Sequence, residues 1–516
     1  MKLFLLLLSL GGLADASYLT YEHFQGTPPP CSVSGFQIFD CGTVLTSQYS
    51  YLFGVPLALW GVIQYLLVSI LLILLLTRPS KLIKSWLILQ STAGFLFSLY
   101  FIYLQLVVIQ SICFFCMISA IVSILLFIGI QLHLARARRQ TLLQLIQLAY
   151  VYLLKPILFR FDAEVIHNRM TSFGQTISHL TLINRLTRWL ILTPTPQLAQ
   201  TFHSIHFPAP IGLSAGFDYE AKLTQTLAPW GFGFQTIGTI TNLPYQGNPT
   251  PRLARLPISK SLLVNKGFKN PGSNQIISHL TNQIFPIPVG ISIGRTNTIQ
   301  LKTQDQSVDD IIQAFTKFEQ SNLNHAYYEL NISCPNLMGN IEFYTPKHLH
   351  QLLSSLDKLK IKKPIFIKMP IDQNTAKTKD MLDIIVTHKI KGVIFGNLQK
   401  DRTHASFNPQ EINSVQHLKG HFSGKPTFDQ SNELIRFTYK YYGKQLLIIG
   451  CGGIFCAQDA YTKIRAGASL LQLITGMIYQ GPQLIMQINL DLIDLLHQDG
   501  YTSIHEAIGA DLKKTK

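Results

Sequence analysis

Asn331-Ile332-Ser333-Cys334-Pro335-Asn336 follows a short apolar run, Ala326 to Leu330, in the soluble-looking half of a 516-residue chain. Two side-chain amides flank one thiol. A strand ending this way offers a thiol for proton or redox chemistry between groups able to hold a planar polar ligand, and so reads as the floor of an active site. A buried cysteine capping a strand would look the same, because free Cys is among the most buried residue types. The surrounding pattern decides between them.

From Pro210 onward short β-rich runs alternate with helical stretches. The expected strands are Ile211 to Leu213, Phe234 to Thr239, Val289 to Ile293, Tyr327 to Ile332, Ile365 to Met369, Gly392 to Phe395, Leu446 to Ile449 and Leu470 to Leu473. Eight strands separated by helices predict an α/β fold of the (β/α)8, or TIM, barrel type, whose functional groups gather at the C-terminal strand ends. Asn331, Cys334 and Asn336 follow the fourth strand, Lys368 ends the fifth and Asn397 follows the sixth. Gly452-Gly453 and Thr475-Gly476 follow the last two, where backbone N–H groups can cradle a phosphate. Two such turns at the final strands point to a phosphorylated cofactor or substrate. The apolar flanks of Lys368 predict its partial burial, and a buried cation needs an anionic partner, which a reduced flavin would supply. A lysine reaching solvent and asparagines serving as ordinary turn residues are the plainer alternatives.

The other half is apolar. With 47% hydrophobic and 14% charged residues, the chain is too apolar for a purely soluble protein and too long for one ordinary domain. Its formal charge of +16 flanks apolar blocks, and no zinc-finger, RNP or helix-turn-helix pattern accompanies it, so a lipid bilayer rather than nucleic acid is the expected partner. Leu52 to Leu76, Ile83 to Val108 and Cys113 to Ile130 are long enough to span a membrane. Leu3 to Tyr21 is either a further short span or, with Lys2 and Ala14-Asp15-Ala16, a secretory signal. These segments predict an all-α four-helix transmembrane bundle. Arg78, Lys81 and Lys84 lie between two spans and Arg136, Arg138 and Arg139 follow the last, which puts both clusters inside. The Cys31 to Cys41 loop and Cys113 then share the outer, disulfide-permissive face. Leu134 to about Leu192 is basic and amphipathic, with Leu142, Leu143, Ile146, Tyr150 and Leu153 at helical spacing. It reads as a membrane-surface helix, a linker or an ordinary core helix.

The seven cysteines split between the halves. Cys113-Phe114-Phe115-Cys116 puts a dithiol on the first turn of a transmembrane helix, where free N–H groups and the helix dipole favour a thiolate. Cys31 and Cys41 sit in a loop containing Pro28-Pro29-Pro30, suited to carrying electrons by thiol–disulfide exchange. Structural disulfides and a four-thiolate zinc site are the alternatives, although no metal is expected.

Residues 1 to about 133 resemble the bacterial vitamin K epoxide reductase family, through Ser17-Tyr18-Leu19-Thr20-Tyr21-Glu22-His23, Val44-Leu45-Thr46-Ser47, Phe53-Gly54-Val55-Pro56 and both cysteine pairs. The resemblance implies that Cys113 and Cys116 reduce a membrane quinone, that Cys31 and Cys41 are the shuttle pair, and that Ser47 contacts the quinone head. Many relatives carry a fused thioredoxin-like partner domain; none is present here, so a separate thioredoxin-like protein on the outer face is implied. The cell (inner) membrane is the implied location, with the barrel cytoplasmic.

Residues about 148 to 505 resemble dihydroorotate dehydrogenase, most closely its quinone-using class, through Leu158-Phe159-Arg160-Phe161-Asp162-Ala163-Glu164, Ala215-Gly216-Phe217-Asp218, Pro251-Arg252-Leu253-Ala254-Arg255, Ser423-Gly424-Lys425-Pro426 and Ile449-Gly450-Cys451-Gly452-Gly453. By that resemblance Ala215, Gly216, Thr239, Lys368, Ser423, Gly424, Gly452, Gly453, Thr475 and Gly476 hold FMN. Asn265, Lys266, Gly267, Phe268, Asn331, Asn336 and Asn397 hold dihydroorotate or orotate, and Arg255 lies toward the quinone path. Cys334 is the implied base in an oxidation that belongs to pyrimidine biosynthesis. Departures accompany the match. The quinone-using class usually has serine where Cys334 stands, and a lysine where Tyr219 stands, with Lys222 a nearby substitute. Ser292 replaces an asparagine, Gly396 and Leu398 replace threonines, and the loop at Asn265 is one residue short. The expected domains are 1–133, the bundle; 134–195, linker and membrane-docking helices; 196–505, the barrel; and 506–516, a basic tail.

Overall fold

Runs of β-branched and aromatic residues, each bounded by Gly, Pro or polar residues, become eight strands: β1 (Ile211–Leu213), β2 (Phe234–Ile240), β3 (Val289–Ile293), β4 (Tyr327–Asn331), β5 (Ile365–Met369), β6 (Gly392–Phe395), β7 (Leu447–Cys451) and β8 (Leu470–Leu473). They close into a parallel barrel in chain order, with β8 returning to β1 through the Leu471 and Ile211 register. All eight expected strands are present, shifted only at their ends. Buried on both faces, they carry continuous rather than alternating hydrophobicity. The computed structural model describes residues 1–26, 31, 39–339 and 341–513. Pro28-Pro29-Pro30 and the last three residues of the expected basic tail lie outside them.

The helices on the barrel's outside are amphipathic, and their spacing says why. Gln304–Gln320 turns Val308, Ile311, Phe315 and Phe318 inward and begins with a capping box between Thr303 and Gln306. Pro346–Asp357 buries Leu349, Leu352, Leu353 and Leu356. Inside the barrel, Phe207, Phe234, Tyr327 and Phe366 pack together near the starts of the strands as an apolar plug. Polar groups are thereby left for the opposite mouth. A three-stranded antiparallel sheet, Leu253–Leu256, Ser261–Val264 and His421–Gly424, is built from the segments after β2 and β6 and borders that mouth.

The chain divides into two units, Met1–Leu142 and Leu143–Lys516. In the first, helices Lys2–Gln25, Leu57–Thr77, Lys81–Tyr103 with its π-type continuation Leu104–Ile109, and Phe114–His133 are each long and apolar enough to cross a bilayer. The first helix buries Leu5, Ser9, Gly12, Ala16 and Leu19, a seam at three- and four-residue spacing. Gly12 leaves room for the Tyr65 ring, and the Ser9 and Ser69 hydroxyls meet at 2.7 Å. This helix is longer than the short span expected and is packed as a member of the bundle.

A fifth segment, Ala135–Leu158, also meets the length and hydropathy of a span, where the sequence reads as an amphipathic surface helix. Its second half is tied by polar side chains to the barrel unit. Gln147 donates to Gln480 at 3.0 Å and accepts from Gln487 at 3.1 Å, and the Tyr150 hydroxyl donates to the Ile478 carbonyl at 2.7 Å. Helices Ala163–Ser178 and Thr181–Ile191 follow.

Phe315 is wholly buried and meets Tyr328 of β4 at 5.0 Å between ring centroids. Phe315→Ala is expected to destabilise the protein by about 3–5 kcal/mol, read as a lower unfolding midpoint by circular dichroism.

Candidate functional site

The residues expected at the C-terminal strand ends converge on one cavity. Ala215, Gly216, Thr239, Lys368, Ser423, Gly424, Gly452, Gly453, Thr475 and Gly476 line it together with Cys334, Lys266, Gly267, Phe268, Asn331, Asn336 and Asn397. On one side Gly452 and Gly453 take φ of 96° and 73°, a turn that L side chains resist. Beside them the Ser423 and Thr475 hydroxyls lie 2.8 Å apart. A Cβ placed on Gly216 would meet only Ile474 within 4 Å, so a ligand can approach this backbone closely. These are the features of a phosphate-and-ring cradle, and they fit a flavin mononucleotide.

The opposite side is amide-rich and internally braced. Asn331 donates to Thr239 Oγ1 at 2.8 Å, Asn397 donates to the Ser333 carbonyl at 2.8 Å, and Asn336 donates to the Val264 carbonyl at 3.0 Å. Asn265 stands just behind, accepting from Asn248 at 2.9 Å, and does not line the cavity itself. Arg255 does not line it either. Its guanidinium lies over the Phe159 ring at 4.6 Å and donates to the Phe161 carbonyl at 2.7 Å.

Beneath the cavity the sequence reading is incomplete. Lys368 is buried as expected, and the chain itself supplies an anion for it. Glu329, fully buried on β4, places Oε1 3.7 Å from Lys368 Nζ, which also donates to Ser214 Oγ at 2.9 Å. Ser292 and Gln472 each donate to the Glu329 carboxylate at 3.3 Å. A glutamate inside a strand looks like any solvent-facing polar residue, so no sequence signal marked it.

Cys334 faces the cavity. Burial pushes its thiol up to about 11, against the pull of the Asn336 backbone N–H and of the Lys368, Arg295 and Lys400 charges. Arg295, also missed by the sequence reading, is only 2% exposed and donates to the Met338 carbonyl at 2.5 Å, bracing the loop that carries Cys334. Tyr219, at the position where a lysine is usual, donates to Asn168 at 3.0 Å and accepts from Lys266 Nζ at 3.1 Å. Lys266 borders the cavity here together with Lys269, and burial pushes Lys266 down to about 7. Lys222, the expected substitute, instead pairs with Glu220 and does not line the cavity.

A second cavity, of about 490 Å³, lies within the helical unit, lined by Ser47 and Cys116 with Gln64, Tyr65, Gln90 and Ser119 among mostly apolar side chains. That is ample for a ring-sized apolar ligand. Cys31 and Cys41 are disulfide-bonded, with 5.7 Å between their Cα atoms, and the Cys113 sulfur lies within 4.8 Å of both. Cys113 caps its helix, accepting the Cys116 N–H at 3.3 Å, while its own N–H donates to Gln105 at 2.8 Å. The three sulfurs are close enough together for thiol–disulfide exchange.

Comparison with known proteins finds a family for each part of the chain. The dihydroorotate dehydrogenase family model matches residues 197–496, and the vitamin K epoxide reductase family model matches residues 3–130. The dihydroorotate dehydrogenase (quinone) of Trichormus variabilis is 32% identical over 379 residues, covering 70% of this chain and 99% of its own. That of Mycobacterium ulcerans is 34% identical over 361 residues, covering 70% and 97%. Among solved structures, the ligand-free DHODH from Eimeria tenella matches with a TM-score of 0.57 at 26% identity, over 64% of this chain and 98% of its own.

Removing one member of the buried pair should cost more than removing both charges. Lys368→Met alone is expected to destabilise by about 3–5 kcal/mol, and adding Glu329→Gln to recover most of that loss, measured by thermal unfolding of the two variants.

Proposed function

The chain belongs to the dihydroorotate dehydrogenase family and carries a vitamin K epoxide reductase family domain at its N-terminus, and from this premise we propose that it is a bifunctional membrane oxidoreductase. The barrel oxidises (S)-dihydroorotate to orotate, a step of pyrimidine synthesis, with quinone as the final acceptor. The observation that carries this reading is that Cys334, between Asn331 and Asn336, opens onto the same cavity as the Gly452-Gly453 turn after β7 and the Thr475-Gly476 helix start after β8, where the sequence reading expects a second turn.

FMN, when bound, supplies the hydride acceptor and the route to quinone. Ala215, Gly216, Thr239, Lys368, Ser423, Gly424, Gly452, Gly453, Thr475 and Gly476 hold it. Asn331, Asn336 and Asn397, with Lys266, Gly267 and Phe268, hold the substrate's carboxylate and ring, and Asn265 orients them from behind. Cys334 accepts the proton from the ring CH2. With its thiol near 11, deprotonation waits on substrate binding or on high pH.

The helical domain oxidises thiols. A thioredoxin-like protein on the outer face passes two electrons to the Cys31–Cys41 disulfide, the Cys113–Cys116 pair takes them by exchange, and quinone in the cavity beside Ser47 is reduced to quinol. Both halves drain into one quinone pool. The protein sits in the cell (inner) membrane with the barrel cytoplasmic, and the seam of the first helix argues that it is kept as a span rather than cleaved. Docking of 134–195 on the bilayer is supported by Leu182 and Trp189, exposed at 77% and 64%. Arg255 flanks the route from bilayer to barrel. The domain limits that go with this reading are 1–133, 134–195, 196–505 and 506–516.

Purified protein given dihydroorotate with quinone, fumarate or NAD is expected to form orotate with quinone; reduction of fumarate or NAD instead overturns the acceptor assignment. Cys334→Ala should lower kcat by at least about 100-fold, as for a lost general base. In the parent protein kcat/KM should rise about tenfold per pH unit between pH 7 and 9, because the thiolate fraction grows as pH climbs toward a raised pKa; a flat profile would show that free thiolate is not what limits the step. Cys113→Ala should abolish outer-face disulfide formation in a reporter strain, and an unchanged reporter reduces the bundle to an anchor.

A further inference from the structure

The first span carries one carboxylic acid near its middle, Asp15 of helix Lys2–Gln25. An ionisable group at such depth is costly, and where it occurs it generally serves a proton or ion path. One of its oxygens, Oδ2, is buried with no hydrogen-bond partner among the described residues. The sequence reading passes over it as part of a small-residue cleavage site, because Ala14 and Ala16 flank it.

Helix pairing fixes its level in the bundle. A Cβ on Gly129 would meet Leu5, and Tyr18 packs on Phe115 with ring centroids 5.3 Å apart, so the first and fourth spans run antiparallel. Asp15, almost a turn before Tyr18, therefore stands level with the turn after Cys116. On the second span, Gly12 and Ala16 pack against Tyr65 and Gly61, which bracket the same level. The Tyr65 hydroxyl donates to the Ser119 carbonyl at 2.7 Å and lies 3.0 Å from Ser119 Oγ. Tyr65, Ser119 and Cys116 all line the cavity beside Ser47. The titratable groups on neighbouring spans near this level are Tyr65, which packs on Gly12, and Cys113 and Cys116 at the head of the fourth span. On its own helix Tyr18 and Glu22 lie one and two turns outward.

We propose that Asp15 is a positioning residue for protons in the thiol-oxidising half, acting on the Cys113–Cys116 dithiol through Tyr65 and Ser119. The inference rests on the thiol-to-quinone reading above. In the step, two S–H bonds break and one S–S bond forms, the electron pair goes to quinone, and both protons finish on the quinone oxygens. Asp15 holds one of those protons between leaving sulfur and reaching oxygen. The electrons come from the dithiol and the acceptor is the quinone, so no further reactant is required.

The test uses the full chain in detergent, with dithiothreitol as thiol donor and a short-chain benzoquinone as acceptor, followed from pH 6 to 9 alongside Cys116→Ala. Asp15→Asn is expected to slow quinol formation tenfold or more at pH 7 and to change the slope of the pH profile, with Asp15→Glu restoring most of both. Alkylation of Cys116 in the reduced protein should show a displaced pH dependence in Asp15→Asn. Dihydroorotate-dependent quinone reduction by the same preparations should be unchanged. Wild-type rate and profile in Asp15→Asn overturns the proposal, as does equal loss in Asp15→Asn and Asp15→Glu, which marks a packing role. If the parent protein and Cys116→Ala reduce quinone from thiol equally, the thiol-oxidising reading itself fails and takes this one with it.

Discussion

The Lys368–Glu329 pair, sealed inside the barrel with 3.7 Å between Nζ and Oε1, is the constraint on which the catalytic mouth depends. Two charges removed from water are tolerated only with close pairing and further hydrogen bonds. Ser214, Ser292 and Gln472 supply those bonds, so the middle of the barrel is polar where its lower end is an aromatic plug. Glu329 lies two residues before Asn331 on β4, and successive inward positions of a strand share one face. In the parallel register Asn331 stands opposite Lys368. Satisfying the pair thus sets the height of Asn331, and with it the loop that presents Cys334 to the cavity.

The two halves place thiols in contrasting surroundings. Cys113 caps a helix, takes an N–H from Cys116 and lies within reach of a disulfide, an arrangement suited to sulfur–sulfur exchange. Cys334 has one backbone N–H and distant cations, yet enclosure dominates and its proton is held tightly. The same atom is held in two different settings because solvation and neighbours differ. At the cavity edge the Tyr219 hydroxyl accepts from Lys266, which lines the cavity with Lys269. Local sequence pointed to Lys222, which Glu220 takes instead.

Much of the architecture was readable in one dimension. β-branched runs between turn residues marked the strands, the glycines after β7 and β8 marked one wall of the cavity, and the spacing of Cys113 and Cys116 at the head of an apolar segment marked the dithiol. These signals are short-range, since a strand, a positive-φ turn or a helix start is written within a few neighbouring residues. What the sequence by itself determined was therefore the kind of each element and the chemistry available at its ends. Only the tertiary structure decided which buried charge meets which: Glu329 with Lys368, Arg295 with the loop carrying Cys334, Asp15 with the level of Cys116. Those pairings join residues far apart in the chain, and the cost of burying an unpaired polar group acts on their three-dimensional neighbours, which no local pattern records.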